Sequence, residues 1–185
     1  MKAAHVHSFA PIADAKARVL ILGSMPGKAS LAAGQYYAHA QNLFWSILGE
    51  FTGAASSLPY AARARALKSC GIALWDVLES CAREGSLDSA IVDASISAND
   101  FAKFYRAHPR IAQVLFNGAK AEACYRRYVQ PALELPAVVD TFAPLNYRRL
   151  PSTSPANASM SRAHRHSVWQ QALRQALGGR ALGAR

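Results

Sequence analysis

The sequence predicts an α/β protein, a three-layer α/β/α sandwich with a central, mostly parallel four-stranded sheet. Short apolar runs alternate with segments of helical periodicity, which is the pattern of parallel strands covered by helices on both faces. The composition, 51% hydrophobic and 17% charged, is typical of a globular protein. A length of 185 residues suits one domain. We therefore expect a single domain over 1–185, with its core at 17–178 and a frayed tail at 179–185.

The first third of the chain predicts one strand and two helices. Residues 18–22, RVLIL, have the length and apolarity of a short buried strand. The segment LFWSILGEF forms a helix that ends near Gly53, and its core face holds Phe44, Ile47, Leu48 and Phe51. The Ala-rich segment LPYAARARALKSCG predicts a second helix that ends at Gly71.

The middle of the chain is less clear. The segment IALWDVLESCAREGSLDSAI, residues 72–91, is ambiguous and predicts a strand or turn followed by a loop. Ser97 and Asp100 have the spacing of a capping box, which predicts that a helix begins at FAKFYRAH. The run IAQVLFNG then predicts a strand that is closed by a turn.

The last third predicts two helices and two strands. A helix over 119–130 places one apolar face inward, namely Ala121, Cys124 or Tyr125, and Tyr128. PAVVDTF predicts a third strand, and YRRLPSTSPANAS predicts a brief fourth strand that leads into a loop. A final helix over 161–178 ends at Gly178 and Gly179.

Charge and cysteine content narrow the function classes. The chain has 21 Lys and Arg against 11 acidic residues, a net charge of +10. This excess favours a polyanionic partner, with nucleic acid first, although it also serves solubility. The three cysteines, Cys70, Cys81 and Cys124, form no C-x-x-C pair, which favours reduced thiols in the core over a metal or iron–sulfur site. No signal peptide or membrane-length apolar run is visible, and together with the reduced thiols this favours a cytoplasmic protein that does not act at a membrane. We also expect the protein to be a monomer.

Three predicted strands end in polar loops, GSMPG, FNG and LPSTSPANAS, which should meet at one edge of the sheet. The first loop matches neither dinucleotide-binding nor P-loop patterns. Of the following tyrosines, Tyr36 and Tyr37, each is as well explained by core packing as by stacking on a base. For Asn42, the sequence alone favours a helix N-cap over a functional role.

The other two loops offer polar groups to a ligand. Asn117 is explained either as a turn residue or as a carboxamide that pairs with the amide edge of a ligand. The third loop lies between two prolines beside an arginine-rich stretch that includes Arg162, and its hydroxyls and backbone N–H groups suit phosphate contacts. Its polar residues are Ser152, Thr153, Ser154, Asn157 and Ser159.

The motifs GSMPG, YYAHAQNLFW, LFNG and LPSTSPANAS, in this order, resemble those of the uracil-DNA glycosylase superfamily. The resemblance covers about residues 18–175 and is closest to the hypoxanthine-DNA (deoxyinosine) glycosylase branch. Two positions depart from the superfamily's pattern. The usual His-Pro is His39-Ala40, and the last motif has no His where the uracil enzymes carry one.

The resemblance implies a role for each matched residue. Asn42 inherits the catalytic role, Tyr37 the stacking on the extruded base, and Asn117 the recognition of its edge. Ser24 and Met25 fall in the base-binding loop, where Met25 replaces the Asn that positions water in the mismatch-specific uracil branch. The last motif implies that its loop and Arg162 hold the DNA backbone beside the lesion.

The implied function is a monofunctional DNA glycosylase that releases hypoxanthine from deoxyinosine and leaves an abasic site, without a metal or organic cofactor. Its partner is DNA containing a deaminated base. Two alternatives stay open at this point. One is a uracil- or mismatch-directed glycosylase on the same fold. The other is a non-catalytic DNA-binding module, for which Met25 is the best argument.

Overall fold

The computed structural model describes residues 4–85 and 88–178, so the predicted tail at 179–185 lies outside the described residues. In this part of the chain the strands are β1 (Ala4–His7), β2 (Val19–Gly23), β3 (Ile72–Asp76), β4 (Leu78–Arg83), β5 (Ser97–Ala98), β6 (Gln113–Asn117) and β7 (Asn146–Leu150). The helices are α1 (Lys28–Ala33), α2 (Phe44–Thr52), α3 (Tyr60–Ser69), α4 (Phe101–Ala107), α5 (Ala119–Tyr128), α6 (Gln130–Leu133), α7 (Pro136–Val139) and α8 (Arg162–Ala176). Single turns of 3-10 helix cover Asp88–Ala90 and Asp93–Ser95.

The main sheet has four parallel strands in the order β3-β2-β6-β7. β2 and β3 are buried along their whole length, which explains why β2, and β3 as far as Trp75, are apolar without alternation. Helix α2 packs on α8, where Phe44 and Trp169 meet edge to face, and α4 packs near α5 through Phe101 and Tyr125. The predicted three-layer α/β/α architecture is confirmed.

One predicted strand is wrong. PAVVDTF does not enter the sheet, because Pro136 begins the short helix α7, a position that suits proline and its missing N–H. Val139, which lies within the predicted strand, is 45% exposed. The fourth strand of the sheet is instead β3. It lies in the segment 72–91, for which the sequence predicted either a strand or a turn.

A second, smaller sheet was not predicted. β1 and β5 pair antiparallel with β4 on its two sides, and Ala4 lies opposite Arg83. The fold therefore extends to the N-terminal side of the predicted core, which began at residue 17. The segment after β1 contacts the main core directly, since the Phe9 carbonyl accepts hydrogen bonds from the Tyr36 hydroxyl and the Trp75 indole.

The predicted start of α4 is confirmed, but the predicted capping box is wrong. Asp100 itself is the N-cap of α4, with its side chain accepting from the Lys103 N–H at 2.9 Å, whereas Ser97 lies in β5 and forms no capping box. None of the three cysteines forms a disulfide, and all three are buried in the core, as predicted. None of the described helices is long and apolar enough to span a bilayer.

Candidate active site

The three predicted loops meet at one cavity along the carboxyl edge of the main sheet, as expected for parallel strands. Its volume is about 620 Å³, within the range of sites for small organic ligands. All predicted site residues except Arg162 line it, namely Ser24, Met25, Tyr37, Asn42, Asn117, Ser152, Thr153, Ser154 and Asn157. The prediction that these strand ends share one edge is confirmed.

A short helix, α1, interrupts the first loop segment, residues 24–43, where the sequence predicted no helix. It ends at Gly34, whose φ of 61° is in the left-handed region that favours glycine. Of the tyrosine pair that follows, Tyr36 belongs to the core at 2% exposure. Burial raises the pKa of the Tyr36 hydroxyl well above its usual range, and the nearby Asp76 carboxylate raises it further. Tyr36 is therefore a neutral hydrogen-bond donor.

Tyr37 supplies the aromatic surface of the cavity. Its ring stacks on Phe44, with centroids 4.0 Å apart and planes inclined by 20°. Phe44 is fully buried, so this stack anchors the tyrosine ring to the core. The φ of Tyr37 is 53°, a left-handed conformation that residues with a side chain rarely adopt. A planar ring that enters the cavity would therefore meet a tyrosine already held in place.

Asn42 lines the cavity at the entry to α2. Its Oδ1 accepts a hydrogen bond from the Phe44 N–H at 3.0 Å, which satisfies a donor of the first helical turn, while Leu43 holds the N-cap position itself. Its Nδ2 makes no hydrogen bond within the described part of the chain. The helix start therefore orients the carboxamide and leaves its N–H groups for another partner.

Asn117 and Thr153 form a reciprocal pair between two loops. The Asn117 Nδ2 donates to the Thr153 Oγ1 at 2.9 Å, and the Thr153 N–H donates to the Asn117 Oδ1 at 2.8 Å. Thr153 is fully buried, and its carbonyl accepts from the Leu43 N–H at 3.1 Å. Thr153 thus connects all three loops. Asn117 retains one N–H and one acceptor site for a ligand.

Hydrogen bonds from α8 hold the third loop, residues 151–160, in place. Arg165 is 5% exposed, and its Nη1 donates to the carbonyls of Ser152 and Ser154 at 3.2 and 2.9 Å. The Asn157 Nδ2 also donates to the Ser152 carbonyl, at 3.1 Å. Because these carbonyls are bound inside the protein, the loop keeps a defined shape before any ligand arrives.

Sequence reasoning missed Asp76, the last residue of β3. It is 2% exposed, lines the cavity and pairs in register with Gly23 of β2. Met25, at 7% exposure, and Ser24, at 8%, follow Gly23 along the same wall. Asp76 could have been noticed as an acid directly after the apolar run IALW, but this run was itself ambiguous.

Arg83 on β4 is a second buried charge that sequence reasoning missed. Its side chain is 2% exposed, and its Nη2 donates to the carbonyl of Pro26 in the first loop segment. The smaller sheet therefore supports the wall of the cavity through this contact, since a charged donor makes a strong hydrogen bond to a carbonyl.

Two lysines, Lys28 and Lys120, line the cavity. Arg162 is exposed in the first turn of α8, just after the third loop. Lys120 lies 3.8 Å from Asp93 in an ion pair. In the residues that the structure describes, no group of three or more His, Cys, Asp or Glu side chains could hold a metal ion.

The fold and the cavity together are typical of a protein that binds a nucleobase. An α/β protein with an anchored aromatic ring, carboxamides and hydroxyls in one strand-end cavity is suited to bind a planar ring that makes hydrogen bonds, such as a nucleobase.

Comparison with known proteins identifies the family. The model of the Uracil DNA glycosylase superfamily matches residues 10–177, and the chain belongs to this superfamily. The resemblance predicted from the motifs is confirmed. The chain is also 42% identical over 114 residues, 61% of its length and 71% of the relative's, to a hypoxanthine DNA glycosylase from Methanosarcina barkeri. A hypoxanthine DNA glycosylase from Methanosarcina acetivorans is 34% identical over 169 residues, 90% of this chain and 96% of that protein.

A solved structure agrees with this assignment. The solution NMR structure of a candidate uracil DNA glycosylase from Methanosarcina acetivorans superimposes with a TM-score of 0.74 at 33% sequence identity. The match covers 94% of this chain and 99% of that one.

Proposed function

We propose that this chain is a monofunctional DNA glycosylase that hydrolyses the N-glycosidic bond of deoxyinosine in DNA, releases hypoxanthine and leaves an abasic site. The observation that carries the proposal is the convergence of three strand-end loops on one cavity that holds an anchored tyrosine and oriented carboxamides. The two relatives named hypoxanthine DNA glycosylase support the choice of base.

Base recognition begins with extrusion of the nucleotide, because the glycosidic bond of a stacked base is out of reach. In our proposal the extruded base stacks on the face of Tyr37 that Phe44 does not cover. Asn117 offers its remaining N–H and acceptor site to the base, and Ser24 and Met25 contact it from the wall of the cavity. A large apolar side chain such as Met25 suits the broad face of a purine.

Bond cleavage develops positive charge on the sugar and negative charge on the departing base. We propose that Asn42 orients the attacking water or stabilises the oxocarbenium-like sugar. The hydrogen bond from the Phe44 N–H fixes the Asn42 carboxamide before the substrate binds. A group that is preorganised in this way stabilises the transition state without reorganising during the reaction.

The third loop and Arg162 are proposed to hold the DNA backbone beside the lesion. Ser152, Ser154 and Asn157 lie on the cavity wall, and the buried Thr153 sets their position through Asn117. Hydroxyl groups and an exposed arginine are the usual partners of phosphate oxygens. We further propose that the protein acts as a monomer in the cytoplasm, without a metal or organic cofactor.

The direct test is incubation with a labelled duplex that carries one deoxyinosine, followed by alkali. We expect strand breakage at the lesion only after alkali, because the enzyme would leave an abasic site. Binding without breakage would favour a non-catalytic DNA-binding module. Breakage of a deoxyuridine duplex but not of the deoxyinosine duplex would favour a uracil-directed enzyme.

DNA binding is expected to weaken steeply with salt. If about three to five phosphates are neutralised, the logarithm of the binding constant should fall against log[salt] with a slope of roughly −2.7 to −4.5. Arg162→Gln should make this slope shallower, lowering its magnitude by about 1. Arg65→Gln, which lies on α3 outside the cavity, should leave the slope unchanged. A flat salt response would mean that the net charge of +10 serves solubility alone.

No covalent enzyme–DNA intermediate is expected, although Lys28 and Lys120 line the cavity. Lys28 is exposed, and a hydrated ammonium group is a poor nucleophile for Schiff-base chemistry. Borohydride added during turnover should therefore trap no adduct, and the DNA backbone should stay intact until alkali is added. A trapped adduct on a denaturing gel would contradict the monofunctional assignment.

A further inference from the structure

Tyr37 keeps an unfavourable backbone conformation at the wall of the cavity. Among the described residues other than glycine, it alone has a positive φ. Strain of this kind persists only where the surrounding contacts fix the conformation, and it is concentrated at functional sites. The contacts that hold the Tyr37 backbone therefore bear on the role of its ring.

Two side chains hold the peptide groups on either side of Tyr37. On the N-terminal side, the Trp45 indole Nε1 donates to the Tyr36 carbonyl at 2.7 Å, in the buried core. On the C-terminal side, the Ala38 N–H donates to the Ser30 Oγ at 3.2 Å. Because peptide groups are planar, the only soft rotations between these two groups are the φ and ψ of Tyr37. Holding both groups therefore holds Tyr37 in its left-handed conformation.

Both supporting side chains are themselves fixed by the fold. Trp45 on α2 and Ser30 on α1 are each 6% exposed. The Trp45 ring packs edge to face on Phe44, with centroids 5.1 Å apart, and Phe44 is the ring on which Tyr37 stacks. The first two residues of α2 thus support the ring and the backbone of the same tyrosine. A change of φ to the usual negative range would redirect the Tyr37 Cβ and separate the two stacked rings.

We propose that Trp45 and Ser30 are positioning residues for the stacking of Tyr37 on the extruded base, an inference that rests on the proposed function. By holding both peptide groups, they keep the Tyr37 ring against Phe44 before DNA binds. The base then meets a surface that needs no rearrangement, which lowers the ordering cost of binding. In this role both residues act through Tyr37, and neither needs to contact the base.

The test measures how Trp45→Phe and Ser30→Ala bind two duplexes. Phenylalanine keeps an aromatic ring without the indole N–H, and alanine is favoured within a helix such as α1. One duplex carries an uncleavable 2′-fluorinated deoxyinosine, and the other carries a tetrahydrofuran abasic-site analogue, which has no base to stack. We expect each variant to bind the first duplex roughly three- to tenfold more weakly and the second as the wild type does. An equal loss on both duplexes would overturn the proposal, because the two side chains would then support the protein generally.

Trp75→Phe and Ser95→Ala are the matched controls. The Trp75 Nε1 donates to the Phe9 carbonyl at 3.1 Å, and the Ser95 Oγ accepts from the Ala82 N–H at 2.7 Å. Each control therefore loses the same kind of hydrogen bond as its counterpart, at a position that does not line the cavity. We expect both controls to bind the two duplexes as the wild type does. A matching loss of affinity for the deoxyinosine analogue in the controls would contradict a specific role for Trp45 and Ser30.

A second arm repeats both substitutions in a Tyr37→Ala background. If Trp45 and Ser30 act through the Tyr37 ring, removing the ring should abolish their effect on affinity for the deoxyinosine analogue. Ser30 itself borders the cavity, so this cycle also separates positioning from direct contact with the DNA. The same loss in both backgrounds would mean that the side chains act independently of Tyr37, and the proposal would be wrong.

Cleavage of deoxyinosine by the wild type tests the proposed function separately. If the wild type cleaves deoxyinosine and the variants bind its analogue as the wild type does, the positioning role is wrong while the glycosylase assignment stands. If the wild type cleaves no deoxyinosine, the proposed function and this inference fall together. The two substitutions lie on opposite sides of Tyr37 and on different helices, so the result does not depend on the folding of one variant.

Discussion

Replacing Asn42 by alanine is expected to slow single-turnover cleavage of deoxyinosine by about 100- to 1000-fold. Affinity for the duplex should change far less, because the proposed interaction belongs to the transition state and not to the bound ground state. The same substitution removes the acceptor of the Phe44 N–H, so it should also cost about 1 kcal/mol of stability. Rapid-quench cleavage, equilibrium binding and thermal melting measure the three effects separately.

Asn42→Ser separates catalysis from the support of the helix start. Serine retains a short side-chain oxygen that can accept from a backbone N–H of the first turn, but it has no carboxamide. We expect the serine variant to recover most of the stability and little of the cleavage rate. If cleavage recovers together with stability, Asn42 only supports the start of α2, and the catalytic proposal is wrong.

Deoxyinosine is expected to be the preferred substrate, cleaved faster than deoxyuridine and more than about 10⁴-fold faster than deoxyadenosine. The larger hypoxanthine face gains more from stacking on Tyr37, and Met25 offers no polar group to position water against a pyrimidine. Adenine presents an acceptor at N1 and a donor at the 6-position, opposite to the edge that the site would bind. Matched duplexes under single-turnover conditions measure the ranking. Faster cleavage of deoxyuridine would make the choice of branch wrong, while the superfamily assignment stands.

Asn117→Ala tests recognition within this ranking. It removes the remaining polar groups that Asn117 offers to the base, and it also releases Thr153. Thr153→Val removes the hydroxyl partner but keeps the carboxamide, so it reproduces only the structural part of the change. We expect the differences in cleavage rate between the three substrates to become smaller in Asn117→Ala and to stay the same in Thr153→Val. An unchanged ranking in both would remove Asn117 from base recognition.

Much of the fold was predictable because its signals are local. The apolar run that became β2 and the helix faces of α2 and α5 are each set by contiguous residues, and the structure has them within a few positions of the prediction. The wrong strand shows the limit of such signals. PAVVDTF has β-branched residues, but Pro136 at the first position of a short surface helix decided its conformation.

The pairing of strands that are distant in the chain could not be predicted from the sequence. β1 belongs to the smaller sheet through its pairing with β4, in which Ala4 lies opposite Arg83. Neither strand's own sequence predicts which strand it pairs with. β3 is buried on both faces and apolar as far as Trp75, so its periodicity could not distinguish a strand from another kind of buried segment. It became a strand through its pairing with β2.

By itself the sequence determined the α/β class, the three loops and the side chains they carry, because strand ends and turn residues are encoded within short segments. The tertiary structure decided which of these side chains share a cavity and in what state. It joined Asn117 to Thr153, turned Tyr36 into the core and set Tyr37 against Phe44. It also brought Asp76 beside Gly23, since strand register is a property of two distant segments and the packing of a carboxylate against a glycine exists only once they pair.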